Sequence, residues 1–439
     1  VQVKTGRAGL GDAPVGLLLR ALLLAAMVLS GWQVLKRGQA LDLASPRYGI
    51  AGLEQAAERD ASNSRTQFLL GMVRRDLPGA EDLDAAVRHF NLAVGLNPFS
   101  WRYRLEQSRA LELAGSLPES EEALNEAVRL NPRSGAYRWR LANFQLRHGS
   151  QEEAIEEMGV AITLDPALQG AALGLVLKLE VDFEQIDSIW PTDRSGRLRL
   201  LQRLCAWLVE SQSEEGAGLA YARDLWAEVL ELEPPLTMSE GRFYPQFLLD
   251  RGHPAAAREA WLQLTEGNAM TDAEFESGRN AVWNADFEHT LQGRPLGWTL
   301  VRSDHVRARQ VKGEGLDGSA ALRVEFLGRE NLSFTGLSQT LVVEPGTDYR
   351  LSAHLRSEGI TTDEGLFLEA LDKTSRRVLV STEPVAGTEN WRAVSEVVQV
   401  PNEGELLVLR LRRRPSRMLD SKIRGKIWID RISLEPVEP

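Results

Sequence analysis

Cysteine is almost absent from this chain of 439 residues, which holds Cys205 alone. No intramolecular disulfide and no cysteine-built zinc cluster is therefore available. Cys205 falls in the apolar run 200–209 of an expected helix, the setting of a buried structural thiol. Histidine is scarce too, and His89, His148, His253, His289, His305 and His354 are scattered. The Walker A, HExxH, GxSxG and paired-cysteine motifs are all missing, and with them the common local signatures of P-loop nucleotide, zinc and nucleophile chemistry. The chain is accordingly expected not to be an enzyme. Two carboxylates in a rigid cleft would suffice for a glycosidase without any such motif, so an undetected polysaccharide hydrolase stays open as an alternative.

Basic charge is also in short supply. The formal net charge is −11, and residues 276–439, with 24 acidic and 23 basic side chains, account for almost none of it. The first 47 residues carry six basic and two acidic side chains, so the acidic excess lies in residues 48–275. Such a surface repels a phosphate backbone, and no nucleic-acid partner is expected. Length favours two or three domains, and 26% charged with 43% hydrophobic residues excludes collagen-like, disordered and polytopic membrane classes.

Long apolar runs are limited to one, VGLLLRALLLAAMVLSGWQVL at 15–35, which has about the length that spans a bilayer. Arg20 is its only charge and can extend toward the headgroups, while Trp32 suits the opposite interface. A transmembrane helix is expected at 15–35, between an N-terminal flank at 1–14 and a linker at 36–49. The competing reading is a cleaved secretory signal with Lys4, Arg7 and Arg20 as its positive region, although no small-x-small cleavage site stands out. Lys4 and Arg7 on one flank face Lys36, Arg37 and Arg47 on the other, so the flanks leave orientation open.

Three prolines, Pro98, Pro132 and Pro166, recur at one interval of 34 residues. Five positions before each stands alanine (Ala93, Ala127, Ala161), and eight before each a large apolar residue (Phe90, Leu124, Met158). Gly115 and Gly149 precede the later two prolines by 17. Alanine permits close helix approach, glycine turns the chain and proline ends a helix. The pattern resembles the tetratricopeptide repeat, which implies pairs of antiparallel helices and a groove that takes a protein partner. Five or six such repeats are expected across 50–270, with an insertion at 76–79, Ser120 where alanine is usual, and an irregular stretch at 170–198.

After a linker at 271–279 the period changes to alternation, and strands are expected at 297–302, 321–328, 337–346, 348–359, 366–372, 391–400, 406–414 and 426–436. The fold class is thus multidomain α + β: a transmembrane helix, an α-helical tetratricopeptide-like solenoid, and an antiparallel β-sandwich of jelly-roll type at 280–439. WNADFEH, GW, SAALRVEF, QTLVVEPGTDYRLSAHLRS, ENWRAVSEVV and WIDRISLEP follow one another in an order that resembles carbohydrate-binding modules of the cellulase and xylanase type. That resemblance implies a structural calcium where the first and last strands meet, with Glu288 and Asp430, and also Asp286, as its oxygen ligands. The acid that often follows the last motif is replaced by Arg431. It also implies a polysaccharide ligand. Among polar and aromatic residues, Tyr349 and His354 are the glycan candidates; the tryptophans of GW and ENW are typically core. Independently, LLVLRLRRRPSR alternates so that Arg410, Arg412 and Arg414 share one strand face, a basic stripe suited to an anionic glycan or lipid headgroup.

Together these imply a membrane-anchored envelope scaffold, single-pass in a bacterial inner membrane with its soluble part periplasmic. The repeats would recruit protein partners and the sandwich would bind glycan in polysaccharide assembly or export. The alternative is a structural or assembly subunit of a membrane complex that binds no sugar.

Overall fold

The computed structural model describes residues 13–179, 182–211, 216–419 and 421–437. Most of the expected N-terminal flank lies outside them. By its contacts the chain divides into two units, Val1–Trp190 and Pro191–Pro439.

The first unit opens with α1, Ala13–Leu43. Within it Leu18–Leu43 is long and apolar enough to cross a membrane, and its side chains at Leu18, Leu22, Met27 and Val28 are bare. Then come α2 (Gly49–Arg59), α3 (Ser64–Arg75), α4 (Ala80–Leu96), α5 (Trp101–Leu113), α6 (Leu117–Leu130), α7 (Gly135–His148), α8 (Gln151–Leu164), α9 (Gln169–Lys178) and α10 (Phe183–Ile189). Helices α3 and α4, α5 and α6, and α7 and α8 pack as hairpins.

The 34-residue interval marks one helix ending made three times. Leu96, Leu130 and Leu164 close α4, α6 and α8, and the prolines follow two positions later. The intervening caps, Asn97, Asn131 and Asp165, share φ between −142° and −137° and ψ between 69° and 94°. Their N–H groups donate to the carbonyls of Ala93, Ala127 and Ala161 at 3.0, 3.1 and 2.9 Å. A residue before proline is pushed out of the helical region, so each cap satisfies a last-turn carbonyl while the chain turns away. The three alanines are fully buried where the hairpins cross. Ser120, the departure from alanine, is buried too, and its hydroxyl bonds Ser108 Oγ at 3.0 Å and the Ser108 carbonyl at 2.9 Å, which removes the cost of a buried hydroxyl. Asn63, Ser100 and Ser150 cap the starts of α3, α5 and α8 with their side chains.

The second unit holds α11 (Arg194–Ser211), α12 (Ala217–Glu231), α13 (Met238–Gly241), α14 (Phe243–Asp250), α15 (Pro254–Gly267) and α16 (Ala273–Glu276), then ten strands. The strands are β1 (Thr299–Leu300), β2 (Val306–Val311), β3 (Ala321–Leu327), β4 (Phe334–Val342), β5 (Asp348–Ile360), β6 (Phe367–Asp372), β7 (Val378–Ser381), β8 (Gly387–Gln399), β9 (Leu406–Arg413) and β10 (Arg424–Pro436). They form two antiparallel sheets, β1-β4-β9-β6-β7 and β2-β3-β10-β5-β8, whose inner faces enclose one apolar core. Alternation puts Leu407, Leu409 and Leu411 inside, as expected, and their β9 neighbours outside.

The β-sandwich is packed against helix. α15 contacts β4, and Trp261 of α15 lies edge to face with Trp283, both fully buried. A Cβ at Gly297 would stand 3.2 Å from the Trp261 ring, so the absence of a side chain there admits the indole.

Candidate binding sites

The basic stripe becomes an organised cluster once register is known. Arg410, Arg412 and Arg414 leave the outer face of the first sheet, and β6 places Glu369 opposite Arg410 and Phe367 opposite Arg412. Arg410 Nε donates to Glu369 Oε2 at 2.5 Å, Arg412 Nη1 to the same oxygen at 3.3 Å, and Arg414 Nη2 lies 3.9 Å from Oε1. Arg414 also stacks over Phe367 at 4.5 Å. Only 3% of the Glu369 side chain is exposed, whereas the three arginine side chains are 23%, 31% and 52% exposed. A sunken carboxylate therefore orients three cations whose outer edges face solvent, and two positive charges remain in excess. On the opposite flank β4 sets Ser338 across from Arg410 and Thr340 across from Val408. Beside them a cleft of about 280 Å³ is lined by Ser338, Thr340, Lys373 and, from α14, Gln246 and Asp250. Burial lowers the pKa of Lys373, and the nearby Asp250 opposes that shift. Arg413, next in the row, points inward and is fully buried. It donates to the carbonyls of Glu364, Leu332 and Ser421, so it fastens the loops at this end of the sandwich.

The two expected calcium ligands reach one loop from opposite ends of the domain. Glu288 Oε1 accepts from the Ala320 N–H at 2.6 Å. Asp430 Oδ2 accepts from the Leu316 N–H at 2.8 Å and from Ser319 Oγ at 3.0 Å, and its Oδ1 accepts from the Arg431 N–H at 2.7 Å. Asp430 is fully buried, and among the described residues no cationic side chain pairs with it, since Arg431 turns to Asp317 at 2.8 Å. Burial raises its pKa against these hydrogen bonds. Two carboxylates and a backbone loop are donors of the type a hard cation takes, and a buried, unpaired carboxylate suits one. No group of three or more His, Cys, Asp or Glu gathers among the described residues, so backbone oxygens would have to complete such a site. Asp286 accepts from the Glu288 N–H at 3.2 Å within its own turn.

Tyr349 is corrected as a glycan candidate. It is 94% buried within the sandwich core, and its hydroxyl accepts from the Glu344 N–H at 3.0 Å. The alternation of β5, with Tyr349, Leu351, Ala353 and Leu355 on the inner face, requires this. His354 faces outward, pairs in register with Asp430, and lines a polar cleft of about 630 Å³ with Ser352, Ser433, His289 and Arg431. Trp298, Phe334, Phe367 and Trp428 are buried. Trp391 is half-buried, and Arg356 stacks on it and on Trp428 at 5.7 and 3.9 Å. Glu369 is absent from the residues expected from sequence, and its only local signal is an acid flanked on both sides by apolar residues in LFLEALD.

Residues 75–134 and 114–168 match the tetratricopeptide repeat family. The chain carries tetratricopeptide repeats, and that part of it is a protein-interaction module. No curated protein matches the chain. Among solved structures, MamA MSR-1 is similar at 24% identity over 27% of this chain and 67% of that one, with a TM-score of 0.25. The CBM22-1–GH10 modules of the Clostridium thermocellum xylanase 10B, complexed with xylohexaose, are similar at 17% identity over 36% of this chain and 28% of that one, TM-score 0.25. A CBM4 structure is similar at 13% identity over 36% of this chain and 99% of that one, TM-score 0.28.

Proposed function

We propose that this protein is a membrane-anchored envelope scaffold whose repeats recruit a protein partner while the sandwich binds an acidic polysaccharide. Its anchor at 15–35 sits in a bacterial inner membrane and the soluble part that follows it in the periplasm, where assembly or export of the polysaccharide takes place. The observation that carries the glycan half is the fork of Arg410, Arg412 and Arg414 around Glu369, beside a cleft of hydroxyls and amides. Guanidiniums held in place by a buried carboxylate recognise carboxylate or sulfate groups without first losing side-chain freedom. Glu288 and Asp430 would hold a calcium ion that ties the first segment of the sandwich to its last strand, with Asp286 outside the ligand set.

The test uses full-length protein in detergent against polygalacturonate and neutral xylan. Saturable, salt-sensitive binding of polygalacturonate, lost in the double variant Arg410→Ala/Arg412→Ala, is expected. Absence of saturable binding to either polymer would leave the second reading, a structural subunit of a membrane complex. The burial of Trp298, Tyr349, Phe367 and Trp428 favours that second reading, because sugar rings stack on exposed aromatic faces. A topology reporter fused at the C-terminal end tests the periplasmic placement; a cytoplasmic signal would overturn it.

A further inference from the structure

Between α5 and α7, the first helices of two successive hairpins, lies a pocket of about 500 Å³ lined by Arg109, Glu112, Leu113, Arg140, Arg147 and His148. Its charge is inverted relative to its surroundings: three guanidiniums and an imidazole stand around one carboxylate, inside a stretch of chain with an acidic excess. That carboxylate is already engaged. Glu112 accepts from Arg147 at 2.7 Å and bonds the His148 ring at 3.1 Å. Burial works against the Glu112 carboxylate, and these bonds outweigh it, so its pKa lies below the ordinary value. Arg109 reaches Glu106 at 3.5 Å, and Glu106 is held from its other side by Arg75.

Arg140 is different. It is half-buried and makes no hydrogen bond or ion pair among the described residues; burial first, then repulsion from Arg109 and Arg147, pulls its pKa down against the attraction of Glu106 and Glu112. A half-buried guanidinium with no acceptor in the protein exchanges only water for an arriving anion, and gains a charge-assisted hydrogen bond that the free protein lacks. Glu112 repels a dianionic phosphate more than a carboxylate, and Leu113, 65% exposed at the rim, offers an apolar contact that an inorganic ion cannot use.

We infer that the α5–α7 pocket binds an acidic segment of a partner protein, one carboxylate of which is forked by Arg140 while a neighbouring apolar side chain lies against Leu113. This rests on the reading of the repeats as the partner-recruiting part and names the chemistry they recruit.

Fluorescence anisotropy of a labelled (Glu-Leu)₃ peptide against full-length protein in detergent tests it, with (Gln-Leu)₃ as the neutral control. Saturable binding of the acidic peptide that weakens with added salt is expected. Arg140→Gln is expected to reduce affinity at least about tenfold without lowering the melting temperature, because the side chain makes no hydrogen bond or ion pair among the described residues. Glu112→Gln is expected to tighten binding, which gives a second variant whose effect no loss of fold can imitate. Equal affinity for both peptides, or an Arg140→Gln protein that is folded and binds as before, overturns the proposal. So does polygalacturonate binding that is lost in Arg140→Gln, since the pocket would then serve glycan. Partner recruitment itself is read by a photo-crosslinker at Leu113 in cells. Crosslinks to a protein that persist in Arg140→Gln overturn the pocket alone, and no crosslink overturns both readings.

Discussion

The indole of Trp261 meets that of Trp283 edge to face, with centroids 5.5 Å apart and planes at 89°. One ring belongs to α15 and the other to the segment that opens the sandwich, and both are fully buried. α15 is therefore packed directly on the segment that opens the sandwich. Trp261→Ala should destabilise this unit by about 3–5 kcal/mol through lost burial and an unfilled cavity. Differential scanning calorimetry and near-ultraviolet circular dichroism of the full chain should show the strand transition falling together with that of α11–α15. A strand transition that stays put would mean that the two parts fold independently.

Glu369 supplies the second prediction. Among the described residues it is the one carboxylate paired with Arg410, Arg412 and Arg414, so Glu369→Gln leaves three guanidiniums facing one another across neighbouring strand positions. Their partial exposure lets water screen much of the repulsion, and a loss of about 1–3 kcal/mol is expected. Binding of polygalacturonate should hold or strengthen in the same variant, because the face gains a positive charge. Weaker binding by a folded Glu369→Gln protein would remove this face as the acidic-glycan site.

How much of this was legible in the chain depends on the range of the interactions involved. The repeats were readable because each ending at Pro98, Pro132 and Pro166 is set by its own last turn, cap and proline, all within six residues. Core placement of Tyr349 was readable too, and missed: DYRLSAHL alternates so that Tyr349 shares parity with Leu351 and Leu355. Strands β2 and β7 escaped notice because VRARQV and VLVS lie at sheet edges, where partial exposure blurs alternation. The Arg410–Glu369 contact joins residues 41 apart and depends on the register of two strands, which no local pattern carries. Arg140 was hidden for a related reason, since its isolation is a property of the space between two helices. The packing of the later helices against the sandwich turns on Trp261 and Trp283, whose partnership spans the change from helix to strand.

Calcium makes a third, separable prediction. If Glu288 and Asp430 hold the ion, chelation lowers the melting temperature of the strand transition and added calcium restores it. A ligand at about a hundred times its dissociation constant stabilises by about 2.7 kcal/mol, well within calorimetric reach. Asp430→Asn and Glu288→Gln should each abolish the response, and Asp286→Asn, whose carboxylate stays in its own turn, should retain it. A melting temperature indifferent to chelator in the unsubstituted chain rules the site out.

The last prediction concerns acid. Glu240 accepts from Arg194 Nη2 at 2.7 Å, from Thr237 Oγ1 at 2.8 Å and from the Thr237 N–H at 3.0 Å, closing a capping box at the start of α13. The Arg194 guanidinium first, and then the Thr237 donors, hold its pKa down to about 2. A carboxylate whose folded pKa is depressed contributes stability that is fully present above its unfolded value, about 4.3, and is lost as pH falls through the folded one. The stabilisation should thus drain away between about pH 4.3 and about pH 2. About a third of the side chain is exposed, which screens the ion pair, so Glu240→Gln should cost only about 1 kcal/mol near neutral pH. The melting temperatures of the two proteins should converge as pH falls below about 2, where Glu240 becomes mostly protonated and resembles the amide. A gap that is unchanged across that range would show that the carboxylate's charge contributes nothing to the cap.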